Sequence, residues 1–369
     1  MRLILRCIAV VGLCVLWAMA ATAQSVPVKK IELGTLNGVH FRIDVPAHFN
    51  GGLVLYCHGF DVQMPWNRQP LSPPLQVFLR AGFAVAESQY RGTGWNVQDA
   101  LVDSESLRQY FSRHYGVPHR VIVAGHSMGG LVAVALIEMD PGHFQGALPL
   151  CGALGSSYNL IQRRNFDPLV LFEYYYPGAL PSPARLPAGF LNSPATIARL
   201  ARIIQAHPHP AAILTRYLEL RRPQELPGMI AFYARLVAQL EQRAGGNPFD
   251  NTNTIYDVGP DSAAVNRGVQ RYYANPAART YLLKYYSPTG ELRRPVIAVH
   301  TLSDPLVPIW ATNDYGTLVR EKGRGFWFVQ RWVPAYGHCA ISARQTQGAF
   351  QSLLHWIATG DRPAPGEQK

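Results

Sequence analysis

Short apolar runs bounded by glycine alternate along the first 150 residues with longer stretches that place apolar side chains at helical spacing. Lys30 to Pro46 reads as two strands joined at Asn37-Gly38, a pair favoured in two-residue hairpin turns. Leu53 to Cys57 is a buried strand behind Gly51-Gly52 that ends in His58-Gly59. A helix start lies in Pro70 to Ala81, and Phe83 to Ala86 is the next strand. Leu101 to Tyr115 reads as a helix, with Leu107, Tyr110 and Phe111 on one face. Val121 to Ala124 (strand), Gly129 to Met139 (helix) and Gly146 to Cys151 (strand) continue the series. This alternation predicts βαβ units and a mostly parallel sheet covered on both faces, an α/β fold.

The pattern changes near Gly155. From there to Ser287 the chain is rich in Pro, Arg and Tyr and has no buried strand run. Helices are predicted at Ile197–Ala206, Ala211–Leu220 and Met229–Arg243, and Asn247 to Pro260 reads as a loop. Alternation resumes with a strand at Pro295–His300, a helix at Ala311–Arg320, a strand at Phe326–Trp332 and a helix at Ile341–Ala358. The polar tail after Gly360 is expected to be mobile. The expected organisation is a sheet domain in two parts, 24–154 and 291–369, interrupted by a helical insertion at 155–290.

Composition narrows the class. A chain of 369 residues that is 48% hydrophobic can bury a sizeable core, which excludes disorder as the main state. Arg2 and Arg6, the apolar Cys7–Ala20 and the small residues Ala21-Thr22-Ala23 read as a signal peptide cleaved before Gln24, which predicts a secreted or periplasmic protein. No later apolar run is long enough to span a membrane, so no stable membrane insertion is expected after cleavage. The net charge of +11 comes from scattered arginines without a basic, aromatic-interleaved run, so nucleic acid is not an expected partner. After cleavage the cysteines are Cys57, Cys151 and Cys339. Export permits one disulfide, such as Cys151 with Cys339, but three buried thiols fit the sequence equally. None has structural-zinc spacing.

Gly125-His126-Ser127-Met128-Gly129 lies between a predicted strand and a predicted helix, the setting in which G-x-S-x-G exposes a nucleophilic serine on a sharp turn. A serine needs a base, and His338 lies after the last long strand and before the last helix. The base needs an orienting acid, and Asp304, in Asp304-Pro305-Leu306-Val307-Pro308, precedes it by one helix and one strand; Asp314 falls inside that helix. The backbone N–H groups of Met128 and Phe60 are the candidate oxyanion donors, with Gly59 letting the backbone close in. His58 and His126 read as structural residues beside the site, and His300 and His355 as packing residues.

These segments, with Arg91-Gly92-Thr93-Gly94, make the chain resemble the α/β-hydrolases, most closely serine esterases, lipases and aminopeptidases with a cap between the sixth and seventh strands. The His58-Gly59-Phe60 form is similar to that of feruloyl-type and short-chain esterases. The resemblance implies an eight-stranded sheet, no metal and no cofactor. It also implies hydrolysis of a small-molecule or polymeric carboxylic ester through a Ser127–His338–Asp304 triad. A peptidase or amidase on the same triad is the alternative, and a non-catalytic binding protein of the same fold a third. Tannase-like esterases carry a cysteine at the position of Cys339, bonded to one beside the nucleophile. Here the neighbours of Ser127 are His126 and Met128, so that bond is absent. In the insertion, Phe172, Tyr174, Tyr175 and Tyr176 could line a lid over an apolar acyl or aryl group or simply pack the insertion. Arg163-Arg164 and Arg221-Arg222 read as solvated surface.

Overall fold

The computed structural model describes residues 25–284 and 286–369, so the expected targeting segment before Gln24 lies outside the described residues. Among the described residues nine strands form one sheet: β1 (Val28–Leu36), β2 (Val39–Pro46), β3 (Gly52–Cys57), β4 (Ala84–Ser88), β5 (Arg120–His126), β6 (Gly146–Leu150), β7 (Val296–Ser303), β8 (Phe328–Tyr336) and β9 (Gly366–Glu367). Their order is β1-β2-β4-β3-β5-β6-β7-β8-β9. β1 and β2 form the expected hairpin, turning at Asn37 and Gly38, both at positive φ. β2 pairs antiparallel with β4, and every pairing from there to β9 is parallel. Parallel neighbours need crossovers, supplied by α1 (Pro73–Arg80), α2 (Val97–Tyr115) and α3 (Met128–Met139) between β3 and β6.

The inner stretches of the central strands are continuous apolar runs because both faces are covered. Leu53, Leu55, Val121, Val123, Ala147, Val296 and Ala298 face one core together with α2 and α3. The alternating residues Val54, Tyr56, Ile122, Ala124, Leu148, Ile297 and Val299 face a second core with α1 and the last helix, whose range is given below. Leu107 and Phe111 of α2 are buried, as their spacing predicts, and Tyr110 packs against the same core.

Between β6 and β7 the described chain is helical and irregular: α4 (Ser157–Ile161), a π-helical turn (Gln162–Phe166), α5 (Asp167–Tyr175), α6 (Pro194–Gln205), α7 (Pro208–Tyr217), α8 (Leu226–Ala244), α9 (Ser262–Gly268) and α10 (Pro276–Lys284). Three of these were legible from apolar spacing. The run from α4 through α5 was not, because it is buried nearly all round and carries no amphipathic stripe. β7 leads to α11 (Trp310–Glu321), and β8 to α12 (Ala343–Thr359), which opens on a capping box between Ser342 and Gln345.

Two expectations fail here. The sheet has nine strands rather than eight, and the tail is ordered rather than mobile. Gly366 and Glu367 pair with Arg331 and Trp332, the Gln368 N–H donates to the Trp332 carbonyl at 2.8 Å, and Gln368 is 5% exposed. A polar tail joins the sheet because Arg331 offers it a partner, donating to Gln368 Oε1 at 2.8 Å.

A polar cluster sits under the hairpin edge of the sheet. Arg42 and Asp44 are both 1% exposed and paired at 2.6 Å, and Arg42 also donates to the carbonyls of Asn67 and Gln69, tying down the loop after β3. Glu87 of β4 lies opposite Arg42 and Tyr56 in the sheet, and its Oε2 has no partner among the described residues. Burial pushes its carboxyl up to about 8 against the pull of Arg42. Folding therefore favours the protonated form: the contribution is complete below the ordinary carboxyl range and is lost as pH rises through about 8. Glu87→Gln is expected to lose less thermal stability than the parent between pH 5 and pH 9, measured by melting temperature; equal losses in both proteins would show that Glu87 does not titrate in this way.

Candidate active site

The turn after β5 is where the chain departs most from ordinary geometry. Ser127 sits at φ 58° and ψ −123°, outside both the helical and the extended regions. It is held there by its backbone: its N–H donates to the Leu150 carbonyl at 3.1 Å, and its carbonyl accepts from Gly130 and Ala153. Gly125 and Gly129 are required by contact. A Cβ on Gly125 would overlap the Gly129 carbonyl, and one on Gly129 would overlap the Cys57 carbonyl. The turn thus packs backbone to backbone on the end of β3. Met128 opens α3, where first-turn N–H groups have no helical acceptor.

Asp304 follows β7 and is 4% exposed. Its Oδ1 accepts from the N–H groups of Leu306 and Val307, both at 2.9 Å, and its Oδ2 lies 2.8 Å from His338 Nδ1. A carboxylate accepts, so Nδ1 carries a proton, and in the neutral ring Nε2 keeps its lone pair. His300 stands behind this pair, with Nε2 2.7 Å from the Val307 carbonyl and 3.8 Å from Asp304 Oδ2. Burial holds its pKa below the usual histidine value, so it supports Asp304 as a neutral packing residue.

The loop bearing His338 is fixed at two points. The Gly337 N–H donates to the Ser303 carbonyl at 2.9 Å, and Cys339 is bonded to Cys151 at the end of β6. The disulfide therefore links the histidine to the strand beside β5, while Cys57 is a buried free thiol. The donor atoms of Cys151, His338 and Cys339 cluster within 4.8 Å, but with the sulfurs joined the set offers no thiolate to a metal.

Ser127, His338, Phe60 and Gly59 line one cavity of about 270 Å³, with His126, Tyr56, Trp95, Leu160, Ile161, Asn165, Phe232, Leu236, Leu306 and Val307. Asp304 is buried behind His338, and Asp314 lies elsewhere, beside Trp310 and Tyr315. The Phe60 N–H makes none of the backbone hydrogen bonds found among the described residues. His126 Nδ1 is 2.9 Å from the Tyr56 hydroxyl, and burial, then the neighbouring His338, push its pKa down to about 4, so it is neutral at ordinary pH. His58 stacks on Tyr90 and faces the Gly59 and Gln89 carbonyls, a structural residue as expected.

The helical segment builds part of this site, and sequence reasoning missed how. Arg164 is 6% exposed rather than solvated; it donates to the carbonyls of Pro305, at 3.0 Å, and Leu218, at 2.7 Å. The Tyr233 hydroxyl also donates to Pro305. Asp61, next to Phe60, accepts from Arg235 of α8 at 2.6 Å and from the Gly94 N–H at 3.1 Å. Arg163 and Arg221 lie over the rings of Trp310 and Tyr336. The expected aromatic run lies outside the cavity lining: Phe172 and Tyr176 are buried against each other, so they pack the segment. The signal for Arg164 and Asp61 was absent from the sequence because both partners are far away in the chain, and in Arg164's case are backbone carbonyls.

A sheet in this order, with crossover helices and a strained serine between β5 and α3, is an α/β-hydrolase fold. No family model matches the chain. It is 21% identical to o-phthalyl amidase from Xanthobacter agilis over 90% of this chain and 88% of that protein. Among solved structures it is similar to Candida antarctica lipase A, with 13% identity over 92% of this chain and 81% of that one and a TM-score of 0.48. Est1E from Butyrivibrio proteoclasticus shares 14% identity over 89% and 99%, with a TM-score of 0.46.

The Cys151–Cys339 bond closes a loop with a sequence separation of 188, for which loop-closure entropy gives roughly 5 kcal/mol of stabilisation. The double variant Cys151→Ser/Cys339→Ser is expected to melt well below the parent, and reductant should lower the melting temperature of the parent but not of the variant. Identical melting curves with and without reductant would show that the bond carries no such load.

Proposed function

We propose that the protein is a serine hydrolase that cleaves carboxylic esters through an acyl-enzyme. The observation that carries this reading is the strained Ser127 turn in the same cavity as a histidine whose Nδ1 is held by a buried carboxylate. Ser127 Oγ attacks the substrate carbonyl while His338 Nε2 takes its proton, and Asp304 stabilises the resulting imidazolium. The Met128 and Phe60 N–H groups hold the oxyanion. Collapse breaks the bond to the leaving group, which receives the proton from His338. Water, deprotonated by His338, then attacks the acyl-enzyme and releases the acid and Ser127.

In this reading the helices between β6 and β7 act as a cap whose α4, π turn and α8 roof the acyl site. Export to the periplasm or outside the cell, by the N-terminal signal read from the sequence, belongs to the same proposal. Among the described residues no helix is long and apolar enough to cross a membrane. Amide cleavage is the second reading, favoured by the similarity to o-phthalyl amidase, since the same triad cuts amides.

Turnover of p-nitrophenyl esters from C2 to C16, alongside matched p-nitroanilides, separates these readings. Ser127→Ala is expected to lose at least about 10³-fold in kcat, and Asp304→Asn about 10⁴-fold with the fold intact. Ester turnover well above anilide turnover supports the first reading and the reverse supports the second. Undiminished turnover by Ser127→Ala would overturn both.

A further inference from the structure

The cavity over Ser127 is walled mainly by apolar side chains, among them Phe60, Trp95 and Phe232. Most of its polar groups have partners. The Tyr56 hydroxyl and His126 hold each other, His338 holds Asp304, and the Trp95 indole N–H donates to Ser157 Oγ at 3.2 Å. Apart from the Ser127 hydroxyl, Asn165 is the exception. It is 4% exposed and lines the cavity, yet no hydrogen bond among the described residues uses its side chain. Its amide atoms are not among the fully enclosed unpartnered ones: they open onto the cavity, so a ligand that fills it must either pair with them or leave them unsatisfied at a cost of about 1–3 kcal/mol.

The backbone beneath this amide is fixed. Asn165 lies in the π-helical turn Gln162–Phe166, a geometry often found at functional sites. Arg164 anchors the turn to the Pro305 and Leu218 carbonyls, and the Gln162 amide donates to Asp167 Oδ1 at 2.8 Å and accepts from the Asp250 N–H. The Asn165 amide is therefore presented at a set place, one residue from the anchor that holds the loop after Asp304. A primary amide donates through nitrogen and accepts through oxygen, which suits a hydroxyl or carboxamide. Among the described residues no lysine, arginine, aspartate or glutamate lines the cavity, so no permanently charged side chain there would neutralise a charged substituent.

We infer that Asn165 is a specificity-determining residue that hydrogen-bonds a neutral polar group, a hydroxyl or carboxamide, on the enclosed part of the substrate. This deepens the hydrolase reading and rests on it for the chemistry, though not for the binding. The cavity then selects substrates that are aryl or alkyl in bulk, uncharged, and marked by one such group. A substrate whose enclosed part bears a carboxylate is disfavoured.

The test uses matched pairs in which the added hydroxyl is remote from the reacting carbonyl. On the acyl side these are the p-nitrophenyl esters of 3-phenylpropanoate and 3-(4-hydroxyphenyl)propanoate, with the 4-carboxyphenyl analogue as the charged control. On the alcohol side they are benzyl acetate and 4-(hydroxymethyl)benzyl acetate. In one of the two pairs the hydroxylated member is expected to have a kcat/KM about 10- to 100-fold higher than its partner, with the carboxylate poorest on the acyl side. Asn165→Leu should erase that preference, bringing the kcat/KM ratio of the two members of the pair to about one. Asn165→Asp, which keeps an acceptor in the same shape, should retain a preference for the hydroxyl and reject the carboxylate more strongly.

A purely structural role would instead lower every ester alike and lower the melting temperature of both variants; that result, or a parent that shows no preference in either pair, overturns the assignment. The same esters titrated calorimetrically into Ser127→Ala, with and without Asn165→Leu, read the contact without turnover. If no ester is hydrolysed by the parent, the ester reading fails. The binding titration still decides Asn165: a hydroxyl preference that the leucine removes upholds the assignment, and equal affinities overturn it.

Discussion

The contact on which the rest of the site depends is between backbones, where the Gly125–Gly129 turn meets the carbonyl end of β3. Cys57 pairs with Gly125 in the sheet, and the turn closes over the same strand end without room for a side chain at either glycine. A non-glycine residue at positive φ costs on the order of 1–3 kcal/mol, and Ser127 is kept there by hydrogen bonds to Leu150, Gly130 and Ala153. Because β3 and β5 are neighbours in register, the same contact sets His58-Gly59-Phe60 beside the serine. Gly59 would place a Cβ 3.2 Å from that of Ser127, so this loop too approaches at backbone distance. The proposed nucleophile and both proposed oxyanion donors thus follow from one packing constraint.

The histidine and aspartate arrive by a different route. Each sits on a loop at the end of a strand farther along the sheet, and loops do not position themselves. Asp304 is held by two amides of its own loop, and that loop is gripped from outside by Arg164 and Tyr233. His338 is held by Asp304 and by the neighbouring disulfide. The helical segment between β6 and β7 is therefore more than a cover. It buries an arginine whose guanidinium is satisfied by carbonyls, and leaving that charge without those carbonyls would be costly. Its second clamp, Arg235 on Asp61, reaches the loop that carries Phe60, so both sides of the cavity are tied to the same group of helices.

Much of this was legible in the amino-acid sequence, for a physical reason. Central strands covered on both faces are continuous apolar runs, the crossover helices between them keep an apolar stripe, and a serine turn that admits only glycine at its flanks has to spell G-x-S-x-G. These features are local, so the strands β1 to β8, the crossover helices α1 to α3 and the placing of the proposed site residues Ser127, Asp304 and His338 after strands could be read from the sequence. The ordered tail, the helices from Ser157 to Tyr175, the buried Arg164, the choice of Cys151 over Cys57 as the partner of Cys339, and the unpaired amide of Asn165 could not. Each depends on which groups, distant in the chain, are brought within hydrogen-bonding or bonding distance. A polar tail or an arginine pair reads as solvated until a buried partner is supplied, and only the tertiary structure supplies it.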